Sequence, residues 1–390
     1  MRRAIIIVLD SVGVGAASDL LPGDNPLANT LFHVLQVTEV GLPNLQRLGL
    51  GNILPLPTVP PTDHPMAAWG RMAPRSCGKD TTSGHWELAG LVLDKPLPTY
   101  PQGFPGSLIE EFSTTSGRAV LGNKAASGTD IISELGEEHM RTGALIVYTS
   151  ADSVFQIAAH ESIVPLAELY AICKQARSLL TGEHGVGRVI ARPFLGQHGS
   201  FYRTGNRRDY SLLPPPGGLL AQALKHKLPV ASVGKIIDIF AAQDISVSFA
   251  AHNNRESHTA LIQALTEVEE GLVFANFVDF DMLYGHRNDT LGYGQALADF
   301  DTGLPEIIAQ LHEDDLLLIT ADHGNDPTMP GTDHDRENVP ILVYGSRISP
   351  IEIGLRSSFA DAGATVADWL KIGKLPAGES FLRRISNDKQ

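Results

Sequence analysis

Cysteine is nearly missing from this chain: Cys77 and Cys173 are its two examples in 390 residues. A disulfide framework is thereby excluded, and a reducing cytoplasm is the expected setting. Long apolar runs are missing too. The run that follows Met1-Arg2-Arg3 stops at Asp10. It is too short for the apolar stretch of a signal peptide and has no cleavage-like sequel. No run approaches the roughly 20 residues of a membrane-spanning helix, so no membrane partner is expected. Positive charge is scarce, with 30 Lys and Arg against 44 Asp and Glu and a formal net charge of −14. That balance argues against nucleic acid or an anionic membrane as the main partner. It leaves room for a small anionic substrate, because a bound metal can invert the local field. Internal repeats and low-complexity tracts are also lacking, and nothing demands an obligate protein partner.

What is present is an ordinary globular core. The hydrophobic fraction is 43%, and the length suits one large or two medium domains. Ala4–Leu9 reads as a buried strand, and further strands are expected at Leu145–Thr149, Arg188–Ala191, Val230–Val233, Leu272–Val278, Leu316–Thr320 and Ile341–Tyr344. Helical periodicity covers Leu166–Leu180, Ser257–Glu269 and Gly294–Leu311. Strands alternating with helices predict an α/β fold with a central, mostly parallel sheet flanked by helices. Pro- and Gly-rich joints at Lys95–Pro105 and Leu213–Gly218 read either as ordinary surface loops or as hinges. As hinges they bound an inserted domain over 96–212, leaving a discontinuous core of 1–95 and 213–390. The segment from Val12 to Ser18 mimics a dinucleotide-binding loop. It puts Ser18 where the third glycine belongs and lacks the later acidic residue, so that reading fails.

The residues with the most chemistry follow the expected strands. Asp10 closes the first strand, Asp281 and His286 follow Leu272–Val278, and Asp322-His323 follows Leu316–Thr320, with His334 eleven residues after His323. In an open α/β sheet the C-terminal strand ends share one crevice. Six carboxylate and imidazole ligands from three strand ends suit two divalent ions. A lone strand-end aspartate would more often cap a helix, so the joint pattern carries the reading. A second stretch, Gly78-Lys79-Asp80-Thr81-Thr82-Ser83-Gly84-His85-Trp86-Glu87, concentrates hydroxyls between glycines. It reads equally as an N-capping cluster or as a helix start that holds a nucleophilic hydroxyl. A third is a basic island: no Asp or Glu stands between His184 and Arg208, while Arg188, Arg192, Arg203, Arg207 and Arg208 do. Guanidinium forks match phosphate oxygens, and beside a dimetal site the phosphate reading overtakes a solvated face. His33 reads as a surface or satisfied histidine, Cys77 as a small core residue and Trp369 as packing.

Gly78–Glu87, Asp279-Phe280-Asp281 with Gly285-His286-Arg287, Thr320–Asp326 and Gly331-Thr332-Asp333-His334 resemble bacterial phosphopentomutases. Val147–Ser153 and Gly187–Pro193 match the same family. Ser83 stands where threonine is expected before Gly-His-Trp, and it keeps the hydroxyl. The resemblance implies an alkaline-phosphatase-like core with an inserted α+β cap, and a phosphothreonine at Thr81. It implies two Mn²⁺ per chain: one held by Asp10, Asp322 and His323, the other by Asp281, His286 and His334. Ser150, Asp152, Arg192 and Arg207 match cap positions tied to substrate or closure, and Lys235 matches a core lysine near the phosphate. The implied reaction interconverts (deoxy)ribose 1-phosphate and 5-phosphate through a pentose 1,5-bisphosphate. A bisphosphorylated sugar serves as primer, and a water-excluding cap separates mutase from phosphatase chemistry. The alternatives are a metal-dependent phosphohydrolase on the same core, a relative of cofactor-independent phosphoglycerate mutases, and a non-catalytic phosphosugar-binding protein. Asp80-Thr81 speaks against the second.

Overall fold

The computed structural model describes residues 2–20, 23–150 and 152–387. Ala151, inside the Val147–Ser153 motif, lies outside the described residues. Contacts divide the chain into two compact units, one of Met1–Pro96 with Pro214–Gln390 and one of Leu97–Leu213. Each junction falls one residue beyond the proline- and glycine-based limits given above. Among the described residues the first unit supplies β1 (Arg3–Leu9) and β2 (Ala68–Met72). The inserted unit supplies β3 (Val120–Ala125), β4 (Leu145–Thr149), β5 (Val154–His160), β6 (Arg188–Leu195), β7 (Tyr202–Arg203) and β8 (Arg208–Ser211). The first unit then resumes with β9 (Val230–Val233), β10 (Val247–Phe249), β11 (Gly271–Phe277), β12 (Asp315–Thr320), β13 (Val339–Tyr344) and β14 (Glu352–Arg356).

The first unit's strands form one sheet in the order β10-β9-β11-β1-β12-β13-β2-β14. From β10 to β12 every pairing is parallel; β13 runs antiparallel to both β12 and β2, and β14 is again parallel to β2. The expected mostly parallel α/β sheet is what forms. Its central strands are buried from end to end, which is why they read as unbroken apolar runs rather than as alternating patterns. Helices Leu219–Lys225, Asn254–Glu267 and Ala360–Leu370 pack against these strands. One end of the sheet is pinned by a buried charge pair. Arg3 starts β1 opposite Asp315, which starts β12, and their Nη2 and Oδ2 atoms lie 2.5 Å apart. The remaining guanidinium protons go to the carbonyls of Leu265, Val268 and Gln310. Burying such a pair is tolerable because every donor finds an acceptor.

At the other end the register matters more. Leu9 is opposite Phe277 and Val8 is opposite Thr320. Three parallel strands therefore finish level, and the residues that follow them emerge at one edge of the sheet. Lys235 leaves the same edge, on the turn after β9.

The inserted unit has its own mixed sheet, β3-β4-β5-β6-β7, with β8 also paired to β6. Helix Leu166–Leu179 packs on β6 and helix Gly128–Thr142 on β4 and β5. Two apolar clusters fill it, one around Phe112, Phe155 and Ile157, the other around Ile131, Ile146, Tyr148 and Phe194.

Candidate active site

The segment after β1 makes a sharp turn. Ser11 has a positive φ of 73°, unusual for a residue with a side chain. The turn aims its amide at Asp322, whose Oδ1 accepts it at 3.1 Å, and the Ser11 hydroxyl pairs with Tyr293 at 3.0 Å. The two aspartates that end β1 and follow β12 are thus tied by backbone. His323 comes next, fully buried, with its Nε2 3.4 Å from both Asp10 Oδ1 and Asp322 Oδ2. Its Nδ1 lies 3.0 Å from the Gly324 carbonyl, a bond that places the proton on Nδ1 and directs Nε2 to the carboxylates.

Asp281 sits in a π-helical turn, Phe280–Tyr284, an uncommon element that recurs at functional sites. Its Oδ2 is 3.1 Å from His286 Nε2 and its Oδ1 is 3.3 Å from His334 Nε2. His286 is oriented as His323 is, with Nδ1 2.6 Å from the Thr332 carbonyl. The ligand-capable atoms of Asp281, His286 and His334 lie within 4.8 Å of one another, as do those of Asp10, Asp322 and His323. The two groups adjoin: the His323 and His334 rings are 4.1 Å apart.

Burial opposes the charged form of His323, but Asp322, then Asp10 and Asp281, outweigh it and push its pKa up to about 10. Burial would raise the Asp281 carboxyl, yet His334 and His286 hold it well below the ordinary carboxylate range. Protons on imidazoles are balancing carboxylates here, and a divalent cation would compete for the same place. Two further oxygens support that fit: Asp10 Oδ1 and Asp322 Oδ2 are buried with no hydrogen-bond partner. Unpaired buried carboxylate oxygens are costly unless a cation meets them.

The hydroxyl segment opens the helix Thr81–Leu88. Asp80 caps it, accepting from the Thr82 and Ser83 amides at 3.1 Å. Ser83 spends its hydroxyl on Asp80, at 2.7 Å to Oδ2 and 2.9 Å to the carbonyl. Thr81 Oγ1 instead lies 3.2 Å from His323 Nε2. Gly84 lets this helix approach the sheet edge, since a methyl group there would stand 2.2 Å from the Asp322 carbonyl oxygen. At the far end Glu87 is buried and accepts from the Arg75, Ser76 and Phe359 amides and the Ser358 hydroxyl. Charge-assisted bonds of this kind contribute about 1.5–3 kcal/mol each. His33 bonds Asp326 at 2.5 Å and Trp369 is buried packing. Cys77 corrects its expectation: it is half-buried rather than core, its thiol on the Asp94 carbonyl.

The other expected residues belong to the inserted unit. Ser150 and Asp152 lie between β4 and β5. Arg192 Nε donates to Gln156 at 3.0 Å, while Arg207 is paired in two bonds with Asp209, both 2.7 Å. Burial, and then the like charge of Arg207, pull the Arg192 pKa below its ordinary value. One arginine of this cluster was not singled out by the sequence. Arg203 lies against the start of helix Gly128–Thr142, where a methyl on Gly128 would be 1.5 Å from its Nη2 and 2.5 Å from the Tyr148 hydroxyl. That hydroxyl is buried without a partner. The stretch 184–208, free of Asp and Glu, was the available signal, but it did not separate Arg203 from its neighbours. Asn276 and Asn325 were missed altogether. Their Nδ2 atoms lie 2.9 Å from Asp10 Oδ2 and 2.8 Å from Asp281 Oδ1.

Comparison with known proteins gives this arrangement a context. A metalloenzyme superfamily model matches residues 228–374, the stretch that carries five of the six clustered aspartates and histidines: Asp281, His286, Asp322, His323 and His334. The chain is 56% identical over 386 residues to a phosphopentomutase of Caldanaerobacter subterraneus subsp. tengcongensis, covering 99% of this chain and 98% of that one. It is 52% identical over 387 residues to a phosphopentomutase of Acetivibrio thermocellus, covering 99% and 100%. It is 53% identical over 387 residues to one from Desulfitobacterium hafniense, covering 99% and 100%.

Proposed function

The chain belongs to the phosphopentomutase family and is an isomerase, and we propose that Thr81 carries the phosphoryl group it moves. The Thr81 hydroxyl carries this reading: it sits 3.2 Å from His323 Nε2, beside the unpartnered oxygens of Asp10 and Asp322. Ser83, the rival two residues on, is turned inward to Asp80.

The reaction interconverts (deoxy)ribose 1-phosphate and (deoxy)ribose 5-phosphate. Phospho-Thr81 gives its phosphoryl group to the free hydroxyl of the sugar. The threonine O–P bond breaks, the sugar O–P bond forms, and the sugar's hydroxyl proton ends on the threonine oxygen. The pentose 1,5-bisphosphate then returns its other phosphoryl group to Thr81 by the same exchange. Each step trades one phosphate ester for another, so positioning and charge stabilisation carry the catalysis. An unphosphorylated chain is primed by a bisphosphorylated sugar.

Asp10, Asp322 and His323 would hold one cation and Asp281, His286 and His334 a second. Mixed carboxylate and imidazole donors suit Mn²⁺ better than the all-oxygen surroundings Mg²⁺ prefers. Bound there, such ions supply positive charge to the attacking and leaving oxygens. The protein's own residues do the rest. Helix Thr81–Leu88 holds the hydroxyl against the sheet edge, and Glu87 anchors the helix. Lys235 is assigned to the phosphate, and Ser150, Asp152, Arg192 and Arg207 to the sugar phosphate. Arg203 joins them, because its guanidinium shares a helix start with an unpartnered tyrosine hydroxyl.

Thr81→Ala tests the reading. Mutase activity should fall by several orders of magnitude. Intact mass after incubation with the bisphosphate should show one phosphoryl group on the wild type and none on the variant. A phosphate mapped to Thr82 or Ser83, or an active Thr81→Ala enzyme, would overturn the assignment.

A further inference from the structure

Behind the Asp10–Asp322–His323 group lie two buried side chains with no role so far, Asn276 and His85. Asn276 is the penultimate residue of β11 and pairs in register with Val8. Its Nδ2 is 2.9 Å from Asp10 Oδ2 and 3.1 Å from His85 Nε2. An amide nitrogen has two protons, and here each has a taker. The Asp10 carboxylate decides which end of the amide faces it, since a carbonyl there would meet another acceptor. The second N–H therefore points at His85 Nε2, which must be the bare nitrogen of the ring. The ring proton is on Nδ1, 2.9 Å from the Thr81 carbonyl and 3.0 Å from Asp322 Oδ2. The imidazole stacks on Phe274, two residues before Asn276 on the same strand. One run of hydrogen bonds thus links Asp10, Asn276, His85 and the Thr81 backbone, and the ring stands within ion-pair distance of Asp322.

This arrangement has a cost. Asn276 Oδ1 is buried with no partner, a penalty that a leucine of similar size would avoid. A strand interior that accepts such a penalty needs the amide for something other than packing.

We propose that Asn276 and His85 form a single positioning unit that holds Asp10, Asp322 and the Thr81 backbone in register for cation binding and phosphoryl transfer. The proposal rests on the metal reading given above. It predicts a division of labour, with Asn276 serving one ligand group and Asn325, through Asp281, serving the other.

The test strips the full chain of metal and titrates it with Mn²⁺ alone by calorimetry. Wild type should take up two ions. Asn276→Leu should bind one of them 10- to 100-fold more weakly, the usual effect of losing a partner that orients a ligand. Asn325→Leu should weaken the other ion. His85→Phe, which keeps the stack on Phe274, should match Asn276→Leu, and the double variant should lose no more than the worse single one. Turnover should fall while KM holds. Wild-type Mn²⁺ affinity in Asn276→Leu, or losses that multiply in the double variant, would each overturn the proposal. If Asn276→Leu fails to fold, His85→Asn decides: it keeps an N–H donor near the place of Nδ1 and should bind Mn²⁺ more tightly than His85→Phe, whereas equal losses would refute the unit. A wild type that takes up no Mn²⁺ would instead sink the metal reading itself.

Discussion

A single proton decides how His139 behaves. Its ring is fully buried in the inserted unit, with Nδ1 2.6 Å from the Ala144 carbonyl and Nε2 accepting the His160 amide at 2.8 Å. Burial lowers its pKa below 6.5; the Ala144 bond opposes this, while His160 and Arg118 add to it. The sign follows from proton counts. Between the folded pKa and 6.5 the unfolded chain binds a proton that the native one does not, so stability falls as pH drops through that window and is constant above it. Thermal scans from pH 7.5 down to about 5 should show the inserted unit losing melting temperature below pH 6.5. His139→Gln, which cannot titrate, should flatten that limb; parallel slopes in both proteins would refute the role. At this scale the sequence was legible where residues carry obvious chemistry. Asp10, Asp281, Asp322 and the histidines could be picked out because carboxylates and imidazoles seldom follow buried strands by chance. Their division into two groups came only with the family resemblance. Asn276 could not be read: an asparagine inside an apolar run looks like a polar edge residue, and its partner Asp10 is 266 positions away.

The helix Thr81–Leu88 is the element on which most of the site depends. Its approach to β12's end is set by Gly84, so Gly84→Ala should push the helix off Asp322 and carry the Thr81 hydroxyl with it. A shift of this kind costs on the order of 10²-fold in turnover, with about 1–3 kcal/mol of overpacking strain. Turnover and the phosphate content of Thr81 should drop together; an alanine variant at wild-type rate would show that the contact does not matter. Elements were legible according to how apolar they are. β4 and β9 emerge with the limits read from sequence, β11 is shifted by one residue at both ends, and β12 and β13 start one and two residues earlier. β3, β7 and β10 gave no signal because they are short or largely exposed. β5 is buried throughout but was hidden by Gln156, two alanines and His160, which break the β-branched pattern that marks a strand.

For the molecule as a whole, two units with separate cores should melt separately. All six clustered ligands lie in the unit of Met1–Pro96 and Pro214–Gln390, whereas His139 lies in the other. Calorimetry should therefore resolve two transitions. A chelator should lower only the first unit's, by about 2.7 kcal/mol per site when the ion had stood at 100 times its Kd. Acid should lower the other. One transition that moves as a whole under both treatments would show that the units unfold as one. The placement of β1 between β11 and β12 has a further consequence, for how the chain is made. Arg3 and Asp315 are 312 positions apart, so the central strand leaves the ribosome long before either neighbour exists. At roughly 5–20 residues per second the wait for β12 lasts on the order of 15–60 s. The inserted unit, whose strands pair within Val120–Ser211, can complete its sheet meanwhile. The seven residues of β1, buried from end to end in the finished sheet, stay unpaired until β11 has been made, and in the nascent chain they are a segment that calls for a chaperone.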